Sequence, residues 1–323
     1  MPLDKARLDR FGPDRNVFDL AIITDEDQDS QVELDDGQIA WQSRMRYDTV
    51  RRTVDDAGRV RYSFEPQIGH EHQLLSTIAE AGRGAEFSEL VSFNGKLLAF
   101  DDRTGLVCEI RHEHELIPRT ILITGPGDAV FKGFKCEWAT IYGDELIVGS
   151  HGKVAKSGGG PGHEEWVKRI QPNTYQVISR DWSAVYERMR KALGVDRARG
   201  YVTHEAADFD PERRRWLFFP RKVSFEPFDE PTDEREKGNN LLLDMDADFG
   251  DIQVREIGPK TPERGPSSLK IVPGHPDEVV ATKSVEIGDR TETYILAFDI
   301  HGNVLSDEVK IGDFKCEGVE FVG

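Results

Sequence analysis

The sequence predicts an all-β fold, a five-bladed β-propeller. Three observations carry that expectation. Strands arrive in hairpins along most of the chain, the β–α–β rhythm of a parallel sheet is absent, and a polar residue recurs ahead of a strand five times.

Residues 1–16 form a polar, Arg/Asp-rich stretch without periodicity, expected to be a flexible N-terminal arm ahead of one propeller domain over 17–323. The first apolar run, Phe18-Asp19-Leu20-Ala21-Ile22-Ile23, ends in the acidic Thr24-Asp25-Glu26-Asp27. Leu90-Val91-Ser92-Phe93 and Lys96-Leu97-Leu98-Ala99-Phe100 then flank Asn94-Gly95, a pair that accepts the positive φ values of a tight turn. Similar runs flank Gly143-Asp144, the 210–215 turn and His301-Gly302-Asn303. Helix signals are few. Residues 181–193, closed by Gly194, carry a capping residue and a C-terminal glycine, and 73–80 is a second, shorter candidate. Residues 229–239 read as a charged loop. Residues 157–162 are a glycine-rich one without the Gly-Lys-Ser/Thr of a phosphate-cradling loop.

Charge narrows the function classes. The chain carries 42 Lys+Arg against 60 Asp+Glu, a net charge of −18. Its basic stretches, Arg44-Met45-Arg46 and Arg213-Arg214-Arg215, are short and lie among carboxylates, so no nucleic-acid partner is expected. Mean hydropathy is −0.54 and no window approaches the ~18 uninterrupted apolar residues of a membrane span, so no membrane partner is expected. Cys108, Cys136 and Cys316 are too sparse for a disulfide framework or a zinc site, and Cys136 and Cys316 pair only if the fold brings them together. His70, His72, His112 and His114 lack a third partner at zinc-like spacing and read as exposed loop residues. No apolar leader follows Met1, which favours a cytoplasmic protein and leaves secretion open if a leader was removed. The expected assembly is a monomer or a weak homodimer.

The repeat turns architecture into chemistry. Phe134-Lys135-Cys136-Glu137 recurs as Phe314-Lys315-Cys316-Glu317, and Phe87-Ser88-Glu89, His204-Glu205 and Ser267-Ser268 occupy similar places. Ser88, Glu137, Glu205, Ser267 and Glu317 follow one another at intervals of 49, 68, 62 and 50 residues. Each interval holds several strands, as a propeller blade does, whereas two β-sandwich domains give the strands without the repeat. The innermost strand of each blade lines a central channel, so the five residues converge on one axis. Three carboxylates across a narrow channel repel unless a cation sits between them. Oxygen donors without Cys or His select a hard ion, and a wide mixed ring suits Ca²⁺ better than the tight octahedron of Mg²⁺. A central Ca²⁺ channel is expected.

At these residues the chain resembles the soluble calcium-activated nucleotidase (apyrase) family. The likeness is carried by Gly82-Arg83-Gly84-Ala85-Glu86-Phe87-Ser88-Glu89-Leu90, Asp101-Asp102-Arg103-Thr104-Gly105, Lys132-Gly133-Phe134-Lys135-Cys136-Glu137-Trp138 and Glu165-Trp166-Val167-Lys168. It continues through Gly200-Tyr201-Val202-Thr203-His204-Glu205, Phe218-Phe219-Pro220-Arg221, Ser267-Ser268 and Glu317-Gly318-Val319-Glu320-Phe321. The resemblance implies one structural and catalytic Ca²⁺ and hydrolysis of nucleoside di- and triphosphates, with GDP and UDP as substrates and sometimes ADP. It implies that Glu137, Glu205 and Glu317 hold the ion together with Ser88 and Ser267. It also implies that Asp25, Asp27, Asp102 and Arg221 form the catalytic set and that Arg103, Glu165 and Lys283 contact substrate. One of Asp25 and Asp102 then orients or deprotonates the attacking water. Two alternatives stay open: a non-catalytic Ca²⁺-stabilised propeller that binds a protein, and a propeller lactonase or phosphotriesterase.

Overall fold

The computed structural model describes Phe11 and residues 15–128, 132–153 and 163–322. Most of the expected arm over 1–16, and the whole glycine-rich 157–162 segment, lie outside the described residues.

The chain opens with β1 (Val17–Thr24), β2 (Gln31–Glu33), β3 (Ile39–Val54) and β4 (Val60–Ser76). Next come β5 (Phe87–Phe93), β6 (Lys96–Asp101), β7 (Leu106–Arg111) and β8 (Glu115–Ile121). The third group is β9 (Trp138–Tyr142), β10 (Glu145–Gly149), β11 (Trp166–Ile170) and β12 (Val177–Asp181), followed by helix α1 (Ser183–Ala192). After it lie β13 (Tyr201–Thr203), β14 (Ala206–Asp210), β15 (Arg215–Phe219), β16 (Lys222–Ser224), helix α2 (Glu230–Glu236), β17 (Leu241–Asp246) and β18 (Ile252–Glu256). The last five are β19 (Gly265–Val272), β20 (His275–Ile287), β21 (Arg290–Asp299), β22 (Val304–Gly312) and β23 (Cys316–Phe321).

These strands form five antiparallel blades. Four are local: β5-β6-β7-β8, β9-β10-β11-β12, β14-β15-β17-β18 and β19-β20-β21-β22, with β13 and β16 pairing as a side ribbon. The first blade draws on both chain ends. β23 pairs with β1, β1 with β3 and β3 with β4, so Leu20 sits opposite Phe321 and the ring is closed by backbone hydrogen bonds. The innermost strands β23, β5, β9, β14 and β19 neighbour one another in turn around the axis. The expected five-bladed propeller is the observed fold.

The core lies between the blades. Five apolar clusters fill the five blade-to-blade gaps, and both faces of the inner strands are therefore buried. Between the third and fourth blades Trp138 packs edge-on against Phe218 and Trp216, with ring centroids 5.1 and 6.4 Å apart. Gly149 makes that possible, because a Cβ there would lie 1.9 Å from the Trp138 ring.

The turns follow the sequence. Asn94 and Gly95 take φ of 51° and 74° between β5 and β6, and Gly194 takes 72° after α1. Two local readings are corrected. The helix expected over 73–80 is instead the end of β4, because Gln73, Leu74, Leu75 and Ser76 pair with Arg44, Ser43, Gln42 and Trp41 of β3. The loop expected over 229–239 contains α2, started by a proline in its first turn. All three cysteines are free and buried, so Cys136 and Cys316 are unpaired by any disulfide. His70 and His72 lie on β4 rather than in a loop. Among the described residues no helix is long and apolar enough to cross a membrane.

Candidate active site

The five repeat positions all fall where an inner strand begins. Ser88 and Glu317 are the second residues of β5 and β23, Ser267 is the third of β19, and Glu137 and Glu205 immediately precede β9 and β14. They converge. The Ser88 hydroxyl donates to Glu317 Oε2 at 3.2 Å. Arg221 Nη1 lies 2.6 Å from Glu205 Oε2 and 3.6 Å from Glu317 Oε1. The Ser267 hydroxyl is engaged with Thr282 at 3.0 Å, within its own blade.

Arg221 is placed by the end of β15. Its backbone N–H donates to Thr203 at 2.8 Å, and its guanidinium also donates to Ser284 Oγ at 2.9 Å and pairs with Glu286. Gly265 lies against its stem, where a Cβ would come 2.5 Å from Arg221 Cγ.

A rim of acids surrounds the ring. Asp25, just past β1, accepts the Asp27 N–H at 2.8 Å, which holds Asp27 at a φ of 47°. Lys315 Nζ binds Asp25 Oδ2 at 2.6 Å, Asp27 Oδ2 at 3.1 Å and Glu317 Oε1 at 3.1 Å. Opposite, Lys135 Nζ contacts Asp102 and lies 2.7 Å from Glu137 Oε1. Arg83 forks onto Glu86 and reaches Asp27 at 3.3 Å. One carboxylate oxygen each from Asp25, Asp27 and Glu86 lie within 4.8 Å of one another.

Counting the contacts shows what this arrangement lacks. Asp25, Asp27, Glu86, Asp102, Glu137, Glu205, Glu286 and Glu317 are eight carboxylates, and only Arg83, Lys135, Arg221 and Lys315 pair with them among the described residues. Burial and the neighbouring acids push Asp25 and Glu137 well above the usual carboxylate range and Glu317 to about 7. Burial alone would lower Lys135 and Lys315, but the carboxylates around them win and raise both. Asp102 Oδ1 is buried without a hydrogen-bond partner. An oxygen-only donor set of eight carboxylates paired with four cations fits a hard dication.

Three expected contact residues stand apart from this cluster. Arg103 rests beside Glu80 at 3.9 Å. Glu165 is buried between Arg190 and Arg197, at 2.8 and 3.1 Å, beneath α1. Lys283 is buried against Glu308 at 2.6 Å inside the fifth blade. Sequence reasoning missed Lys135, Lys315, Arg83, Glu86 and Glu286. The two lysines sit in the repeated Phe-Lys-Cys-Glu, which was the available signal, whereas Glu286 lies near the end of β20 in no motif.

A sequence profile of the apyrase family matches residues 26–322. The chain belongs to the apyrase family. It is 39% identical over 310 residues to soluble calcium-activated nucleotidase 1 of Rattus norvegicus, covering 94% of this chain and 74% of that protein. It is 38% identical over 312 residues to the apyrase of Cimex lectularius, covering 94% and 82%. It is 35% identical over 319 residues to Apyrase apy-1 of Caenorhabditis elegans, covering 97% and 86%. Among solved structures it is similar to the Nup133 β-propeller domain of Vanderwaltozyma polyspora, at 9% identity and a TM-score of 0.36, covering 84% of this chain and 73% of that one. In this apyrase-family chain the acids lie at the starts of four inner strands, β5, β9, β14 and β23, and Ser267 stands at the fifth, β19.

Proposed function

We propose that this protein hydrolyses nucleoside di- and triphosphates, GDP, UDP, ADP and ATP among them, to the monophosphate and phosphate in a Ca²⁺-dependent reaction. The observation that carries the reading is the excess of eight carboxylates over the four cations paired with them around the inner-strand starts. Membership of the apyrase family, and relatives named as calcium-activated nucleotidase and apyrase, support it.

Glu137, Glu205 and Glu317 would hold the ion, with Ser88 and Ser267 contributing main-chain carbonyls because their hydroxyls are already engaged. Bound there, Ca²⁺ supplies charge neutralisation and Lewis-acid polarisation of phosphate oxygens. Either Asp25, with a carboxyl that burial makes basic, or Asp102, with one oxygen unpartnered, would orient the water and take its proton. Asp27 fixes the rim through Lys315 and Arg83. Arg221, enclosed by carboxylates, orders the ring glutamates rather than gripping substrate. Arg83, at the rim, is the cation placed to meet phosphate.

Phosphate release from GDP, UDP, ADP and ATP in millimolar Ca²⁺, in Mg²⁺ and in EGTA tests the proposal. Release that requires Ca²⁺ and stops at the monophosphate is expected. No release from any of the four in Ca²⁺ would overturn it.

A further inference from the structure

Lys135 and Lys315 occupy matching places in two blades. Each lies two residues ahead of a ring glutamate, and each ammonium spans from that glutamate to a rim aspartate: Lys135 from Glu137 to Asp102, Lys315 from Glu317 to Asp25. The lysines therefore sit on carboxylate oxygens of the same side chains that would ligate a dication.

Resting on the Ca²⁺ reading above, we propose that Lys135 and Lys315 are internal counter-ions that compete with the metal for the ring and set the Ca²⁺ concentration at which it loads. A fixed positive charge beside a dication repels it with twice the strength it would exert on a monovalent ion, and burial limits screening by salt. Removing one lysine leaves the eight carboxylates paired with three cations instead of four. A lysine that merely braces the ring makes the opposite prediction, since its loss would loosen the glutamates and weaken metal binding.

The two roles separate in a calorimetric titration of Ca²⁺ into EGTA-stripped, desalted protein. Wild type, Lys135→Met, Lys315→Met and the charge-preserving Lys135→Arg are compared at one pH. Each methionine variant is expected to bind Ca²⁺ about tenfold more tightly than wild type, and Lys135→Arg to stay within about threefold of it. The rise in melting temperature on adding Ca²⁺ should be larger in the methionine variants, whose metal-free forms carry the extra unpaired acid. Lys315 is buried and Lys135 partly exposed, so Lys135→Met serves if Lys315→Met fails to fold. A folded Lys135→Met that binds Ca²⁺ no more tightly than wild type overturns the competitor role. Wild type that takes up no Ca²⁺ overturns the metal reading on which it rests.

Discussion

Asp101 and Asp102 are chain neighbours that face opposite ways and do opposite things. Asp101 turns inward and accepts the backbone N–H groups of Arg103 and Thr104 at 2.8 and 2.9 Å, which shapes the β6–β7 turn. Asp102 is thereby presented to Lys135, which also holds Glu137. The inner aspartate builds the turn and the outer one uses it.

That division has a pH signature. Burial lifts the Asp101 carboxyl to about 7, against an ordinary value of 3.8, and its Oδ2 has no hydrogen-bond partner. Since the folded-state pKa lies above the unfolded one, the proton stabilises the folded state fully below the unfolded pKa, and this contribution is lost as pH rises through 7. Asp101→Asn keeps the Oδ1 acceptor and removes the charge. It should be more stable than wild type by about 2 kcal/mol at pH 8, the difference closing only below the unfolded carboxyl value of 3.8, in urea midpoints. A variant less stable than wild type at pH 8 would show that the turn needs the ionised carboxylate.

The architecture was legible because propellers repeat. The polar residue before each inner strand gave the ring positions, and the Asn-Gly and Gly-containing turns gave the hairpins. What failed was information carried by pairing across the fold. Gln73-Leu74-Leu75-Ser76 has a locally helical pattern, yet it completes a 17-residue strand because β3 supplies its hydrogen bonds. The site cations were hidden for a related reason. Lys283 and Ser284 are adjacent on β20, and strand alternation sends them to opposite faces. Ser284 meets Arg221 at the ring, while Lys283 meets Glu308 in the blade. Spacing alone does not say which face is which.

Glu137 tests the ring itself. It is buried, precedes β9 and carries one of the three convergent carboxylates. Glu137→Gln preserves shape and removes a charge a hard ion requires. Ca²⁺ affinity should fall by about tenfold or more and phosphate release should vanish with it. Calorimetry and a phosphate assay read the two effects separately, and normal Ca²⁺-dependent turnover in the variant would exclude Glu137 as a ligand.

Arg221 should matter most when no metal is present. Its guanidinium is buried among Glu205, Glu286 and Glu317, so Arg221→Met leaves Glu286 and Glu317 sharing Lys315 and Glu205 without an ion-pair partner among the described residues. Breaking a buried ion-pair network by removing one partner costs about 3–5 kcal/mol. Urea unfolding in EGTA should show a loss of that order, and millimolar Ca²⁺ should recover part of it. An equal loss with and without Ca²⁺ would mean that the metal does not share these carboxylates.

Gly265 links the backbone to that guanidinium. It is the first residue of β19 and buried, and a Cβ there would lie 2.5 Å from Arg221 Cγ and 3.1 Å from the Arg221 carbonyl oxygen. The stem of Arg221 has little freedom to give way, because its far end is held by Glu205, Glu286 and Ser284. In Gly265→Ala the guanidinium is pushed off at least one of these partners, and overpacking of this kind costs about 1–3 kcal/mol. The variant should therefore melt lower than wild type in EGTA and, as in Arg221→Met, regain part of that loss in millimolar Ca²⁺, while the outer strands β7 and β8 keep their hydrogen-exchange protection. A Gly265→Ala protein with the wild-type melting temperature in EGTA would mean that Arg221 has room to move, and that its place at the ring is set by the carboxylates alone.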